Sequence, residues 1–415
     1  NPHAHGTHTE CVGHISEEFY SVNDALTNFF FTAEVISVTP AAFGDDLIIS
    51  LEQLKQLLGD NRPEAVVVRT LPNTDAKRSK HYSNTNWPYL HEKAANFLRE
   101  KVKGNNVSFV INRNINFTNV CYMGCKFCGF AKRIEDRSSE FLSLKEIVFR
   151  SKEAWDRGAT EVCIQGGLHP KMDGNYYFEI VKAIKSKLPD MHIHAFSPFE
   201  IWYGSSKTRM TYKNFLTELK NLGLGSMPGT AAEILDTKIR RKLTQNKLSA
   251  EKWIEIIKCA HNLGIPTSAT IMYGHVDGPE NWSSHIALLR SIQKETNGFT
   301  ELVPLSFVHY DSPLYLNDKK NVRRGPTDEE VNKMHAVSRI MLYGWIDNIQ
   351  VSWPKLGAKR AREILKMGAN DLGGTLMNES ISRSAGSQNG QEITAKELVK
   401  IIRSVNFTPV RRNTL

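Results

Sequence analysis

Residues 119–133 read N-V-C-Y-M-G-C-K-F-C-G-F-A-K-R and set Cys121, Cys125 and Cys128 at C-x3-C-x2-C spacing within eight residues. Thiolates so spaced converge on one small inorganic cluster, and Gly124 and Gly129 free the backbone to turn tightly around it. A closed zinc or cluster site takes four protein ligands. This loop offers three, so a 4Fe-4S cluster held here keeps one iron open to an outside ligand. The competing reading is a zinc knuckle completed by a distant histidine such as His169.

What surrounds the loop fixes the architecture. Strands are expected at 107–112, 161–165, 192–196, 224–227, 266–272, 301–307, 349–352 and 368–372. Helices are expected between and after them, at 143–157, 176–187, 211–222, 249–263, 279–296, 327–343 and 354–367. Ser143 with Glu146 reads as a capping box, and Gly158, Gly223 and Gly264 stand just past helix ends. Strict alternation implies a parallel sheet with right-handed crossovers. The fold class is α/β, a full or nearly full TIM-type (β/α) barrel over residues 97–380, followed by a loop and helix at 381–415 that pack on it. Chemistry in such barrels sits in the loops after the strands.

Composition is that of an ordinary globular chain, with 40% hydrophobic and 23% charged residues among 415. No apolar run of eighteen residues exists to span a membrane, and residues 1–30 hold no basic-then-apolar leader. Asn1 in place of Met suggests a fragment or a processed chain. The net charge of +9 is spread thinly, without an arginine–aromatic repeat, so nucleic-acid binding is not expected. Six cysteines, three of them crowded together, fit a reducing, cytoplasmic setting and a metal site rather than a disulfide framework. Cys163 and Cys259 read as small buried hydrophobes.

The cysteine loop resembles the signature of radical S-adenosylmethionine (SAM) enzymes. That resemblance implies SAM chelating the open iron and one-electron cleavage to a 5′-deoxyadenosyl radical. It assigns Cys121, Cys125 and Cys128 to the cluster, Phe127 to the adenine, and Gln165, Gly166 and Gly167 to the glycine loop that meets the methionyl amine. Leu168 stands where family members often carry Glu. Further stretches are I-Q-G-G-L-H-P, H-A-F-S-P-F-E-I, P-G-T-A-A-E-I-L, M-Y-G-H and G-T-L-M-N-E-S-I-S-R-S-A-G. Together they resemble the family of subunit 2 of deazaflavin (FO) synthase from about residue 97 onward. Thr230-Ala231-Ala232 and Thr375-Leu376-Met377 set it apart from futalosine-pathway menaquinone enzymes, the runner-up reading. The implied substrates are L-tyrosine and 5-amino-6-(D-ribitylamino)uracil, with FO synthase subunit 1 and a low-potential electron donor as partners. Ser197 and Glu200 complete the cofactor-side candidates. His169 and Glu233 rank first among groups able to move a proton, ahead of His194, His275, His309 and Asp371. Asn112, Arg113 and Asn116 are candidates to line the barrel or brace the cluster loop.

Residues 1–96 break the β/α rhythm. His3, His5, His8, Glu10 and His14 form a metal-ligand pattern similar to that of the kynurenine formamidase (cyclase) hydrolases. Ala4 and Glu10 depart from that pattern, and the second half of such a hydrolase is absent. The expectation is a partial, non-functional segment, with metal-dependent hydrolysis as the alternative.

Overall fold

The computed structural model describes residues 33–44, 46–59, 61, 65–72, 74, 88–91, 93–94, 97 and 104–413. The histidine-rich opening lies outside them. In the amino-terminal part, β1 (Ala33–Val38), β2 (Ala41–Phe43) and β3 (Asp46–Ile49) precede α1 (Leu51–Leu58), β4 (Ala65–Thr70) and β5 (Tyr89–Leu90). Ser50 and Gln53 close a reciprocal capping box that starts α1. Among the described residues Ile36, Val38, Ile49, Leu54, Leu58, Ala94 and Phe97 form a small core distinct from the main one.

From residue 104 the chain winds a parallel barrel. The expected first strand is two pieces, β6 (Asn106–Val110) and β7 (Asn112–Asn116). They part at Ile111, whose carbonyl accepts from Thr160, because β6 faces one set of neighbours and β7 another. Then follow α2 (Leu144–Asp156), β8 (Glu161–Gln165), α3 (Tyr176–Lys187), β9 (His192–Ala195), α4 (Pro198–Thr208) and α5 (Tyr212–Asn221). Next come α6 (Thr237–Leu243), α7 (Ala250–Asn262), β10 (Thr267–Tyr273), α8 (Pro279–Thr296), β11 (Phe299–Ser306) and α9 (Pro313–Asn317). The chain finishes with α10 (Asp328–Leu342), β12 (Asn348–Ile349), α11 (Trp353–Ile364), β13 (Asp371–Gly374), α12 (Ile381–Ser384), α13 (Ala395–Arg403) and β14 (Thr408–Arg411). Ser143 caps α2 through the Glu146 N–H, but the return bond of a full box is not among its contacts.

The ring closes. β7, β8 and β9 pair in parallel, as do β10, β11 and β12, and β13 pairs with β6. The expected fourth strand shrinks to Ser226 and Met227, which bridge His194 to Thr267. Pro228 follows, and with no N–H it cannot extend the ladder. Gln350 bridges to Asp371 and seals the last seam. Beside that seam Leu376, Met377 and Asn378 all sit at positive φ (63°, 34° and 116°). Left-handed backbone is strained for such residues and persists only where the surroundings impose it. Here Asn112 Oδ1 accepts the Leu376 N–H at 3.0 Å and the Asn114 N–H reaches the Leu376 carbonyl at 2.7 Å. Val162, Ile164, Ile193, Ile271 and Leu302, which alternate with the inward-facing residues, are buried in the main core.

The floor, at the strand starts, is a buried charge cluster. β14 runs beside β6 and delivers Arg412, whose Nε lies 2.6 Å from Asp371 and whose second guanidinium nitrogen lies 3.0 Å from Glu301. Asp371 is fully buried and also accepts from Ser108 and Gln350. Neither β14 nor this stopper was expected from the sequence. Among the described residues no helix is long and apolar enough to cross a membrane.

Candidate active site

The opposite end of the barrel, where the strands finish, holds a cleft enclosing about 1320 Å³ of space, its mouth included. Cys121, Cys125, Cys128 and Phe127 reach it from the loop after β7. That loop is pinned from several sides. The Cys121 N–H donates to the Lys132 carbonyl at 3.1 Å, that of Lys126 to Leu243 at 3.0 Å, and that of Leu314 to the Lys126 carbonyl at 2.6 Å. Gly124 takes φ 68°, as the tight turn requires.

Do these residues fit a cluster? Burial raises the Cys125 and Cys128 thiols above their ordinary values, so bound iron would be needed to draw off their protons. Among the described residues no three His, Cys, Asp or Glu side chains lie close enough to hold a single metal ion. His169 does not supply a fourth zinc ligand. It is absent from the cleft wall, its Nδ1 accepts the Lys171 N–H at 3.2 Å, and its ring lies 5.0 Å from Phe141. The three cysteines fit the cluster.

Gln165, Gly166 and Gly167 line the wall after β8. A Cβ on Gly166 would come within 2.6 Å of the Phe117 ring, and one on Gly167 would collide with the Val120 carbonyl. Glycine is required here by close approach. Ser197 caps α4 with Pro198 at its first turn, and Glu200 completes the box. Glu200 Oε1 also accepts the Gly166 N–H, and burial pushes its carboxyl up to about 7. Gln165 Oε1 accepts from the Thr230 hydroxyl at 2.7 Å.

Glu233 lies on the wall too, but as an anchor. It pairs with Lys247 at 2.6 Å and Arg240 at 3.6 Å, and it sits at φ 40°, as Ala231 does at 66°. Lys247 in turn rides 5.1 Å from the Phe127 ring and 5.5 Å from that of Phe199. Burial works against its charge, yet Glu233 and Cys125 hold its ammonium above the ordinary lysine value.

Four other candidates miss the cleft. Asp371 lies on the floor. His194 shares the Ser226 hydroxyl with His192, both at 2.7 Å. His275 is sealed between the Met272 carbonyl and the Val276 N–H, and His309 packs 4.8 Å from the Tyr315 ring. Asn112 holds the barrel seam, whereas Arg113 turns outward to Glu153 at 2.6 Å. Asn116 does line the cleft, as do Lys247 and Lys355, which sequence reasoning missed. The cleft wall also carries Thr230, in a stretch the sequence marked only as distinctive.

Residues 115–289 match the radical SAM superfamily, 296–415 the CofH/MqnC C-terminal region and 1–107 the putative cyclase family. The 5-amino-6-(D-ribitylamino)uracil–L-tyrosine 4-hydroxyphenyl transferase of Methanopyrus kandleri is 49% identical over 333 residues, 79% of this chain and 88% of that protein. The chain belongs to that radical SAM family. The FO synthase of Mycobacterium leprae is 50% identical over 320 residues, and there this chain spans 37% of the relative's length. The crystal structure of methylornithine synthase (PylB) aligns at a TM-score of 0.59 and 19% identity, over 77% of this chain and 88% of that one. It shares the barrel. Membership of the radical SAM family implies a 4Fe-4S cluster and SAM, which the cysteine and glycine loops suit. The resemblance read from the barrel loops therefore holds, and so does the cyclase likeness at the amino terminus.

Proposed function

We propose that the chain cleaves L-tyrosine and joins its 4-hydroxybenzyl group to 5-amino-6-(D-ribitylamino)uracil, in the biosynthesis of the deazaflavin FO. The observation that carries this reading is the 49% identity maintained over 88% of the Methanopyrus transferase. The barrel supports it, since cluster loop and glycine loop share one cleft.

Cys121, Cys125 and Cys128 would hold the cluster, and the wall of Gln165, Gly166, Gly167, Ser197 and Glu200 would take SAM, with Phe127 near the adenine. When bound, this pair supplies an adenosyl radical able to take hydrogen from tyrosine, after which the Cα–Cβ bond breaks. The chain's own work is positioning and water exclusion. Leu305, Phe307 and Val308 give an apolar wall for a ring, while Asn116, Thr230 and Ser306 offer polar partners for a ribityl chain. Glu200, titrating near 7, is the lining group suited to exchange a proton near neutrality. FO synthase subunit 1 would take the product, and a low-potential donor would supply the electron.

The test is anaerobic reconstitution with dithionite, SAM, tyrosine and the diaminouracil. Glyoxylate from 2-iminoacetate, coupled to 5′-deoxyadenosine, is expected. Turnover of a futalosine-type nucleoside instead would favour the menaquinone branch, a second reading kept because the carboxy-terminal family spans both CofH and MqnC.

We also infer that residues 1–96 are a partial cyclase-like segment without hydrolytic function. What supports the reading is that the radical SAM match begins at residue 115, directly after the cyclase match at 1–107. Formamide hydrolysis that survives loss of the cluster would overturn this.

A further inference from the structure

The cleft wall carries two lysines, and they differ in one respect. Lys247 is neutralised by Glu233 at 2.6 Å. Lys355, in the first turn of α11, donates to the Ser382 hydroxyl at 3.1 Å and has no ion pair among the described residues. Glu379 is the nearby carboxylate; its two oxygens share the Ser382 N–H, at 2.8 and 3.1 Å, where it starts α12, and it acts on Lys355 through its field without a direct ion pair among the described residues. A cation walled into a cleft, with a hydroxyl as its direct contact and no carboxylate in salt-bridge reach among the described residues, has room for an anion.

We propose that Lys355 binds the α-carboxylate of the amino-acid substrate. This rests on the functional reading above. Of the two organic substrates in that reading, the diaminouracil is uncharged and tyrosine carries a carboxylate. SAM carries one as well, but the residues assigned to it follow β7, β8 and β9, whereas Lys355 follows β12 and its neighbours Ile381 and Ala385 follow β13. Phe307 and Val308, at the end of β11, set an apolar surface on the same wall. An ammonium with an apolar wall suits an aromatic amino acid better than a polyol. Burial holds the Lys355 ammonium below the ordinary lysine value, with Glu379 opposing, and an arriving carboxylate would reverse that.

The experiment is calorimetric binding of L-tyrosine, of tyramine (same ring and amine, no carboxylate) and of SAM to the anaerobically reconstituted full chain and to Lys355→Met. Loss of a charged hydrogen bond weakens tyrosine about ten- to hundredfold. Tyramine and SAM affinities stay at wild-type levels, and Lys355→Arg recovers part of the tyrosine binding. Should Lys355→Met fail to take up iron, Lys355→Gln carries the same comparison. Equal tyrosine binding by wild type and variant, or equal losses for tyrosine and tyramine, overturns the assignment alone. A fall in SAM affinity in place of tyrosine also overturns it. Wild-type protein that binds no tyrosine overturns the functional reading and this assignment with it.

Discussion

Glu200 Oε1 accepts the backbone N–H of Gly166 at 2.9 Å, tying the glycine loop after β8 to the first turn of α4. The same carboxylate accepts the Ser197 N–H at 2.8 Å and its hydroxyl at 2.6 Å through Oε2. One buried acid thus braces two stretches of the cleft wall.

That acid makes stability depend on pH in a definite sense. Its carboxyl rises from 4.5 to about 7 on folding, chiefly through burial, so the folded chain binds the proton more tightly. The contribution is fully present below pH 4.5 and is lost as pH rises toward 7. Urea unfolding of wild type and Glu200→Gln, compared from pH 4.5 to 8, should show wild type losing ground to the variant up to about pH 7. Between those limits the loss should approach about 1.4 kcal/mol for each tenfold fall in proton concentration. A constant difference refutes it.

Gly166→Ala should destabilise the chain by about 1–3 kcal/mol, because its methyl meets the Phe117 ring at 2.6 Å. SAM affinity should fall with it, as the loop shifts. Phe117→Leu makes room, so the double variant should recover part of the SAM binding. A double variant as weak as Gly166→Ala alone would point to another cause.

Arg412→Met leaves Asp371 and Glu301 buried without their cation. Breaking such a cluster from one side costs about 3–5 kcal/mol. Burial already raises Glu301 to about 7, so the loss should be greater at pH 8 than at pH 5.5, where protonation relieves it. Adding Asp371→Asn and Glu301→Gln should restore much of the urea midpoint.

Removing residues 1–96 should leave the main unfolding transition within about 0.5 kcal/mol of the full chain, because among the described residues the two cores share none. Iron content per chain should be unchanged. A truncated protein that takes up no iron would show that the segment supports the barrel.

Much of the barrel is legible in the sequence. The expected strand at 161–165 and the helices at 176–187 and 279–296 match β8, α3 and α8 residue for residue, since apolar spacing agrees with local start and stop signals. α4 was not expected, although Ser197, Pro198 and Glu200 carry a helix-start signature. Asp371 shows how a small displacement along the chain inverts meaning. With the last strand set at 368–372 it stood near the finishing end, but the strand is Asp371–Gly374, so it opens the strand on the floor. Lys247 and Lys355 have no local signal. Their roles come from what tertiary packing brings beside them, and spacing along the chain does not encode that.

A barrel stoppered by Arg412 at one end has, among the described residues, its doorway at the other. On the proposed reading, whatever seats deepest enters first and leaves last, so cofactor, amino acid and acceptor would not exchange independently. Product-inhibition patterns should accordingly follow a compulsory queue rather than random traffic, and trapped spent cofactor would then be the natural brake on turnover.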